Sequence, residues 1–145
     1  MNIPIKLLSN TATLPTKAHN TDACFDIYAY VHSGDIIIEP GECAILGTGI
    51  TTEIPPGYFA AVFCRSGMGI KRHLRLCNSV GIIDSDYRGE WKVALHNDGS
   101  ETQVIKHGDR IAQFAILPVL DVSLIAVNEL SDTERGTGGF GSTGK

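Results

Sequence analysis

Turn signals punctuate this chain at short intervals, and that rhythm limits its possible folds more than any other feature. Strand-like runs recur at Ile3–Leu8, Phe25–Tyr30, Asp35–Ile38, Ala44–Ile50, Tyr58–Phe63, Val80–Ile83, Glu90–Leu95, Arg110–Pro118 and Ser123–Val127. Between them fall Ser33-Gly34-Asp35, Pro40-Gly41, Pro56-Gly57, Asp98-Gly99 and His107-Gly108-Asp109, whose glycines and prolines favour tight turns. Short strands at roughly 8–12-residue spacing predict an all-β sandwich, barrel or jelly roll and argue against βαβ units. Helical periodicity is confined to one short turn expected over Gly67–Arg72.

A chain of 145 residues suits one domain, and a globule of that size buries roughly 70% of its unfolded surface. The 43% apolar content supplies a core without any run approaching the ~18 residues of a membrane span. Residues 1–10 lack the charged start and apolar centre of a signal peptide. These features lead us to expect an intracellular protein, most simply cytoplasmic, with the nucleus open to a eukaryotic or viral chain. Four cysteines (Cys24, Cys43, Cys64, Cys77) are too dispersed for a zinc cluster or a disulfide scaffold, so reduced thiols packed as small apolar groups are expected.

The net charge of −4 excludes the basic surplus typical of nucleic-acid-binding domains. Charge is unevenly spread, however. No acid occurs between Glu53 and Asp84, while Arg65, Lys71, Arg72 and Arg75 fall there. This run suits either a solvated face or a local site for a polyanion. From Ser131 to Lys145 the chain carries five glycines and one aromatic, too little apolar surface to fold alone.

Two patterns mislead. Gly139 to Lys145 spells Gly-x-x-x-x-Gly-Lys without the preceding strand a P-loop needs. Asp84-Ser85-Asp86 opens like a calcium loop, but Arg88 and Leu95 occupy positions that require ligating oxygens. Five polar islands remain. They are Ala23–Ala29 with its Asp26; Arg65-Ser66-Gly67; Asn78 with Gly81–Gly89; Gly108–Gln113; and the tail with Arg135, Phe140, Ser142 and Thr143. Together they offer cationic and hydroxyl donors for phosphate, a carboxylate to orient water and an aromatic face for a base.

In their order, spacing and identity these islands resemble the five motifs of the homotrimeric dUTPase family across residues 21–144. The resemblance implies a jelly-roll-like, distorted β-barrel spanning residues 1–130. It also implies a glycine-rich arm, 131–145, and a homotrimer with active sites between subunits, the arm of one chain closing over a site built by the others. The implied reaction is Mg²⁺-dependent hydrolysis of dUTP to dUMP and pyrophosphate, which lowers dUTP and supplies dUMP for thymidylate synthesis.

Roles then follow by resemblance. Asp84 would activate the water that attacks the α-phosphorus. Asn78 and the backbone of Gly81, Ile82 and Ile83 would recognise uracil, and the Tyr87 ring would lie under deoxyribose and exclude a 2′-hydroxyl. Arg65, Ser66, Gly67 and Gln113 would serve the phosphates. Arg135 would grip the γ-phosphate, Phe140 would stack on uracil, and Gly141, Ser142 and Thr143 would cap the phosphate chain. Mg²⁺ would ride mainly on substrate phosphates, with Asp26 either contacting its waters or serving structure alone.

Three departures stand out: Cys64 replaces the usual proline before Arg-Ser-Gly, Cys24 replaces glycine, and Lys71-Arg72-His73-Leu74 replaces Lys-His-Gly-Leu. A dCTP deaminase, which shares the fold, uses a glutamate in the strand after the third motif. Here Trp91–Asn97 contains no acid. A nucleotide-sensing module without catalysis would need no water-activating carboxylate.

Overall fold

The structure, a computed structural model, describes residues 1–139. Its strands are β1 (Ile5–Leu7), β2 (Phe25–Tyr28), β3 (Ile36–Ile38), β4 (Cys43–Gly47), β5 (Ile50–Thr52) and β6 (Tyr58–Phe63). They continue as β7 (Leu74–Leu76), β8 (Gly81–Ile83), β9 (Lys92–Asn97), β10 (Gln103–Ile105) and β11 (Arg110–Pro118). All pairings between these strands are antiparallel, in sheets ordered β2-β11-β6-β8, β4-β9-β7, β10-β3 and β1-β5. One wide helical turn, Gly67–Lys71, falls where the sequence predicts it. The all-β expectation holds.

Period-two alternation explains how the layers close. In β9 the side chains of Val93, Leu95 and Asn97 are buried while Lys92, Ala94 and His96 are not. Equivalent faces send Ile27, Ile38, Leu46, Ile50, Val62, Leu74, Leu76, Ile105, Ile111 and Trp91 into one shared core. Asn97 is a polar residue fully buried beside this core, as Thr48 and Thr52 are nearly so. Its amide Nδ2 donates to Ile38 O at 2.9 Å and Glu101 O at 2.8 Å, and its Oδ1 accepts from Gly99 N at 3.0 Å. Bonded through both its amide nitrogen and its oxygen, it fastens β9 to β3, and these bonds offset the cost of burying it.

The expected run Ala44–Ile50 is two strands, broken at Thr48-Gly49. Gly49 has φ +67°, and a Cβ there would lie 2.6 Å from that of Ala12. Its N–H donates to Glu90 Oε1 at 2.9 Å, and the Thr48 hydroxyl donates to Trp91 O at 2.6 Å. Strands β7 and β10, each three residues long, are too short to show periodicity in the sequence. Ser123–Val127, expected as a strand, pairs with nothing among the described residues. Leu120, Leu124, Ile125 and Leu130 there are 79%, 97%, 81% and 87% exposed.

All four cysteines are free thiols, but Cys43 and Cys77 are exposed and Cys24 and Cys64 only half-buried, so none is the buried apolar filler expected. Burial pushes the half-buried Cys24 and Cys64 thiols above the ordinary thiol range.

Candidate active site

Three neighbouring strands assemble the first group of polar residues. Gln113 on β11 stands opposite Phe63 of β6 on one side and Asp26 of β2 on the other. A register shift between Arg110 and Ala112 lets Arg110 reach the same place. The Asp26 carboxylate, 14% exposed, accepts one bond on each oxygen: from Arg65 Nε at 2.7 Å and from Arg110 Nη1 at 3.2 Å. Gln113 Nε2 donates to Cys64 O at 3.1 Å. Asp22, Cys24, Asp26, Arg65, Arg110 and Gln113 thus line one shallow depression.

Ser66 and Gly67 open the helical turn at its rim. The Ser66 side chain makes no capping bond, and a Cβ added to Gly67 would meet nothing within 4 Å. Packing therefore does not require glycine here; the open backbone leaves room for an anion to approach. Of the basic run, Arg65 is committed to Asp26. Arg72 donates to Gln103 Oε1 at 2.9 Å and Val104 O at 2.7 Å, and Arg75 pairs with Asp98 at 2.7 Å. The polyanion reading of the whole run is not supported by this arrangement, since its guanidinium groups are dispersed on separate partners.

The second group sits on the sheet edge formed by β8. A tight turn precedes the strand: Val80 N donates to Asn78 O at 2.6 Å, and Ser79 adopts φ 60°, unusual for a residue with a side chain. A Cβ on Gly81 would approach that of Val62 to 3.2 Å, so glycine allows β8 to lie close against β6. Asp84 follows the strand. Its carboxylate is exposed and makes no ion pair or hydrogen bond among the described residues. Its carbonyl accepts from Tyr87 N at 3.2 Å, and the Tyr87 hydroxyl donates to Glu90 O at 3.0 Å, which fixes an aromatic ring 43% exposed.

One chain does not bring these two groups together. Asp84 lies level with Phe59, whereas Gln113 lies level with Phe63. Four strand positions lengthwise and three strand spacings across the sheet put Asp84 on the order of 20 Å from Asp26. Arg135 is exposed on the tail, with Nε donating to Gly138 O at 2.9 Å. Phe140, Gly141, Ser142 and Thr143 lie outside the described residues. Arg110 is the member that sequence reasoning missed as a site residue. Its partner Asp26 is 84 positions away, and only its place in the fourth island hinted at it.

The dUTPase family model matches residues 10–144. A deoxyuridine 5'-triphosphate nucleotidohydrolase of Nautilia profundicola is 47% identical over 145 residues, covering 100% of both chains. One of Clostridium acetobutylicum is 44% identical, covering 99% of this chain and 97% of its own. Among solved structures, a mutant dUTPase of Staphylococcus bacteriophage 80alpha with dUpNHpp superposes at TM-score 0.84 and 31% identity, covering 99% of each chain. A mutant dUTPase of S. aureus phage phi11, described with a structural Mg(II) ion, gives TM-score 0.81 at 27% identity, covering 91% of this chain and 100% of its own. By sequence over its full length and by fold, the chain belongs to the dUTPase family and is an enzyme of dUTP hydrolysis.

Proposed function

We propose that the protein cleaves dUTP between its α- and β-phosphates, with a water oriented by Asp84 attacking the α-phosphorus, in a homotrimer whose sites combine two half-sites. The observation that carries this reading is the separation just described. The exposed Asp84 carboxylate and the Asp26–Arg65–Gln113 group occur in one chain, too far apart to act on one molecule. Two copies side by side would supply both. The exposed apolar residues from Val119 to Leu130 favour the same arrangement, since a stretch this apolar is stable in water only when something covers it.

Within such a site the unpaired Asp84 carboxylate accepts the proton of the attacking water as its oxygen bonds to phosphorus. Pyrophosphate leaves, and dUMP remains for thymidylate synthesis. Asn78 and the Gly81–Ile83 backbone recognise the polar edge of uracil. Ser66, Gly67 and Gln113 donate to phosphate oxygens, with Arg65 adding positive charge, and Arg135 with the arm beyond it closes over the γ-phosphate. Mg²⁺ fits this scheme as part of the substrate. No group of three or more His, Cys, Asp or Glu among the described residues could hold a metal ion, and Asp26 has both oxygens occupied by guanidinium groups. Bound to phosphate oxygens, the ion supplies charge neutralisation. Asp26 then serves as the anchor of Arg65 and Arg110.

Gly89 tests the role of Tyr87. A Cβ at position 89 would lie 2.9 Å from Tyr87 Cε2, so Gly89→Ala must push the ring aside rather than disrupt a strand. The expected outcome is a preference for dUTP over UTP that falls about tenfold or more, because the ring no longer blocks the 2′-hydroxyl. An unchanged ratio of kcat/KM values would remove Tyr87 from sugar selection.

The reaction itself is tested by incubating the protein with each common nucleoside triphosphate and Mg²⁺ and separating the products by chromatography. dUMP and pyrophosphate from dUTP alone are expected. Intact dUTP, orthophosphate in place of pyrophosphate, or ammonia from dCTP would each overturn the reading. No helix among the described residues is long and apolar enough to cross a membrane.

A further inference from the structure

Cys64 is joined to the phosphate-side group by three contacts at once. Its Sγ lies 3.3 Å from Arg65 O and 3.3 Å from Leu74 O, so a single S–H is shared between two carbonyls. Its own carbonyl accepts the Gln113 amide. Arg65 O is a hub: it also accepts from Met68 N and Gly69 N, both at 3.0 Å, which starts the helical turn carrying Ser66 and Gly67. Leu74 O belongs to β7, where the chain rejoins a sheet. The thiol therefore ties the beginning of the 65–74 loop to its end. Burial holds it above the ordinary thiol range, which keeps the proton on sulfur at neutral pH.

The exit of the loop is strained as well as tethered. His73, just before β7, sits at φ 53°, a conformation that non-glycine residues adopt only when their surroundings demand it. Arg72 adds two bonds to β10. A loop with open space around Gly67 and a strained exit relaxes readily unless something near its start holds it. The thiol is placed to do so.

We propose that Cys64 is a positioning residue for dUTP hydrolysis, its thiol clamping the 65–74 loop so that Ser66 and Gly67 meet the phosphates in a fixed geometry. The inference rests on the assignment of that loop to phosphate binding. Because these donors act on phosphate groups in ground state and transition state alike, the clamp contributes to binding more than to the chemical step.

Kinetics of the full-length protein with Cys64→Ala and Cys64→Ser provide the test, with thermal unfolding measured alongside. Cys64→Ala is expected to raise KM for dUTP roughly three- to tenfold with kcat within about twofold, the scale of one modest hydrogen bond. Cys64→Ser retains a donor and is expected to bring KM back to within about twofold of the native value. A native KM in Cys64→Ala overturns the clamp. So does a serine variant as impaired as the alanine one, or a loss confined to thermal stability. If the unaltered protein leaves dUTP intact, the phosphate-site reading itself fails; if it hydrolyses dUTP and only the variants disagree, the clamp alone fails.

Discussion

Asp84→Asn is expected to lower kcat by about 10³-fold while leaving nucleotide affinity within about threefold of the native value. General-base catalysis by a positioned side chain contributes ~10²–10⁴-fold, and an amide of the same shape cannot accept the proton. The substitution is structurally mild because the Asp84 carboxylate is exposed and makes no bond within the described chain. The turn there is held instead by the Asp84 carbonyl and by Tyr87 on Glu90. Pyrophosphate release gives kcat, and titration with dUpNHpp gives affinity. A variant turning over near the native rate would move the base elsewhere; one that failed to bind would make Asp84 a binding residue.

The second large effect is a recovery of activity. A Ser66→Ala/Gln113→Ala double variant removes two donors from the phosphate group, and at about 1.5–3 kcal/mol for each hydrogen bond to a charged partner its activity should fall by 10²-fold or more. Asp84→Asn is inactive for the other reason. If each site draws the water-orienting group from one chain and the phosphate donors from another, subunits scrambled at equal ratio complement each other. A given site receives an intact Asp84 half the time and intact donors half the time, so the mixture should reach about one quarter of native activity. Mixing without exchange of subunits should recover nothing. Failure of the scrambled mixture would place all the catalytic groups in one chain and contradict the geometry.

Much of this was visible in the residues alone, for physical reasons. A strand with one drier face, such as Lys92–Asn97, prints its alternation into the sequence, whereas Arg110–Pro118, paired on both sides, shows as a mostly apolar run. Leu74–Leu76 and Gln103–Ile105 do neither, because three residues cannot display a period and tertiary pairing decides them. Ser123–Val127 shows the reverse case: it has strand-forming side chains but pairs with no strand among the described residues, since side-chain preference alone does not supply a partner. The island carrying Asp84 and Tyr87 was legible because its groups are close in sequence. The Arg65–Asp26–Arg110 network was not, since it joins positions 65, 26 and 110 through a register no local pattern specifies. Arg72 and Arg75 misled for the same reason, each having a remote partner that removes it from any common anion site. Cys64 was visible as a departure from proline, yet only the placement of Leu74 shows what its thiol touches.

The bare apolar stretch from Val119 to Leu130 bears on how the protein behaves when scarce. If cohesion between copies and the completion of each site share this surface, rate per molecule cannot be constant on dilution. If the assembly is the proposed trimer, output below the concentration at which copies find each other would fall with roughly the cube of the amount present. A cell that thinned its stock by half there would lose far more than half of its cleansing capacity, so abundance itself would act as the control.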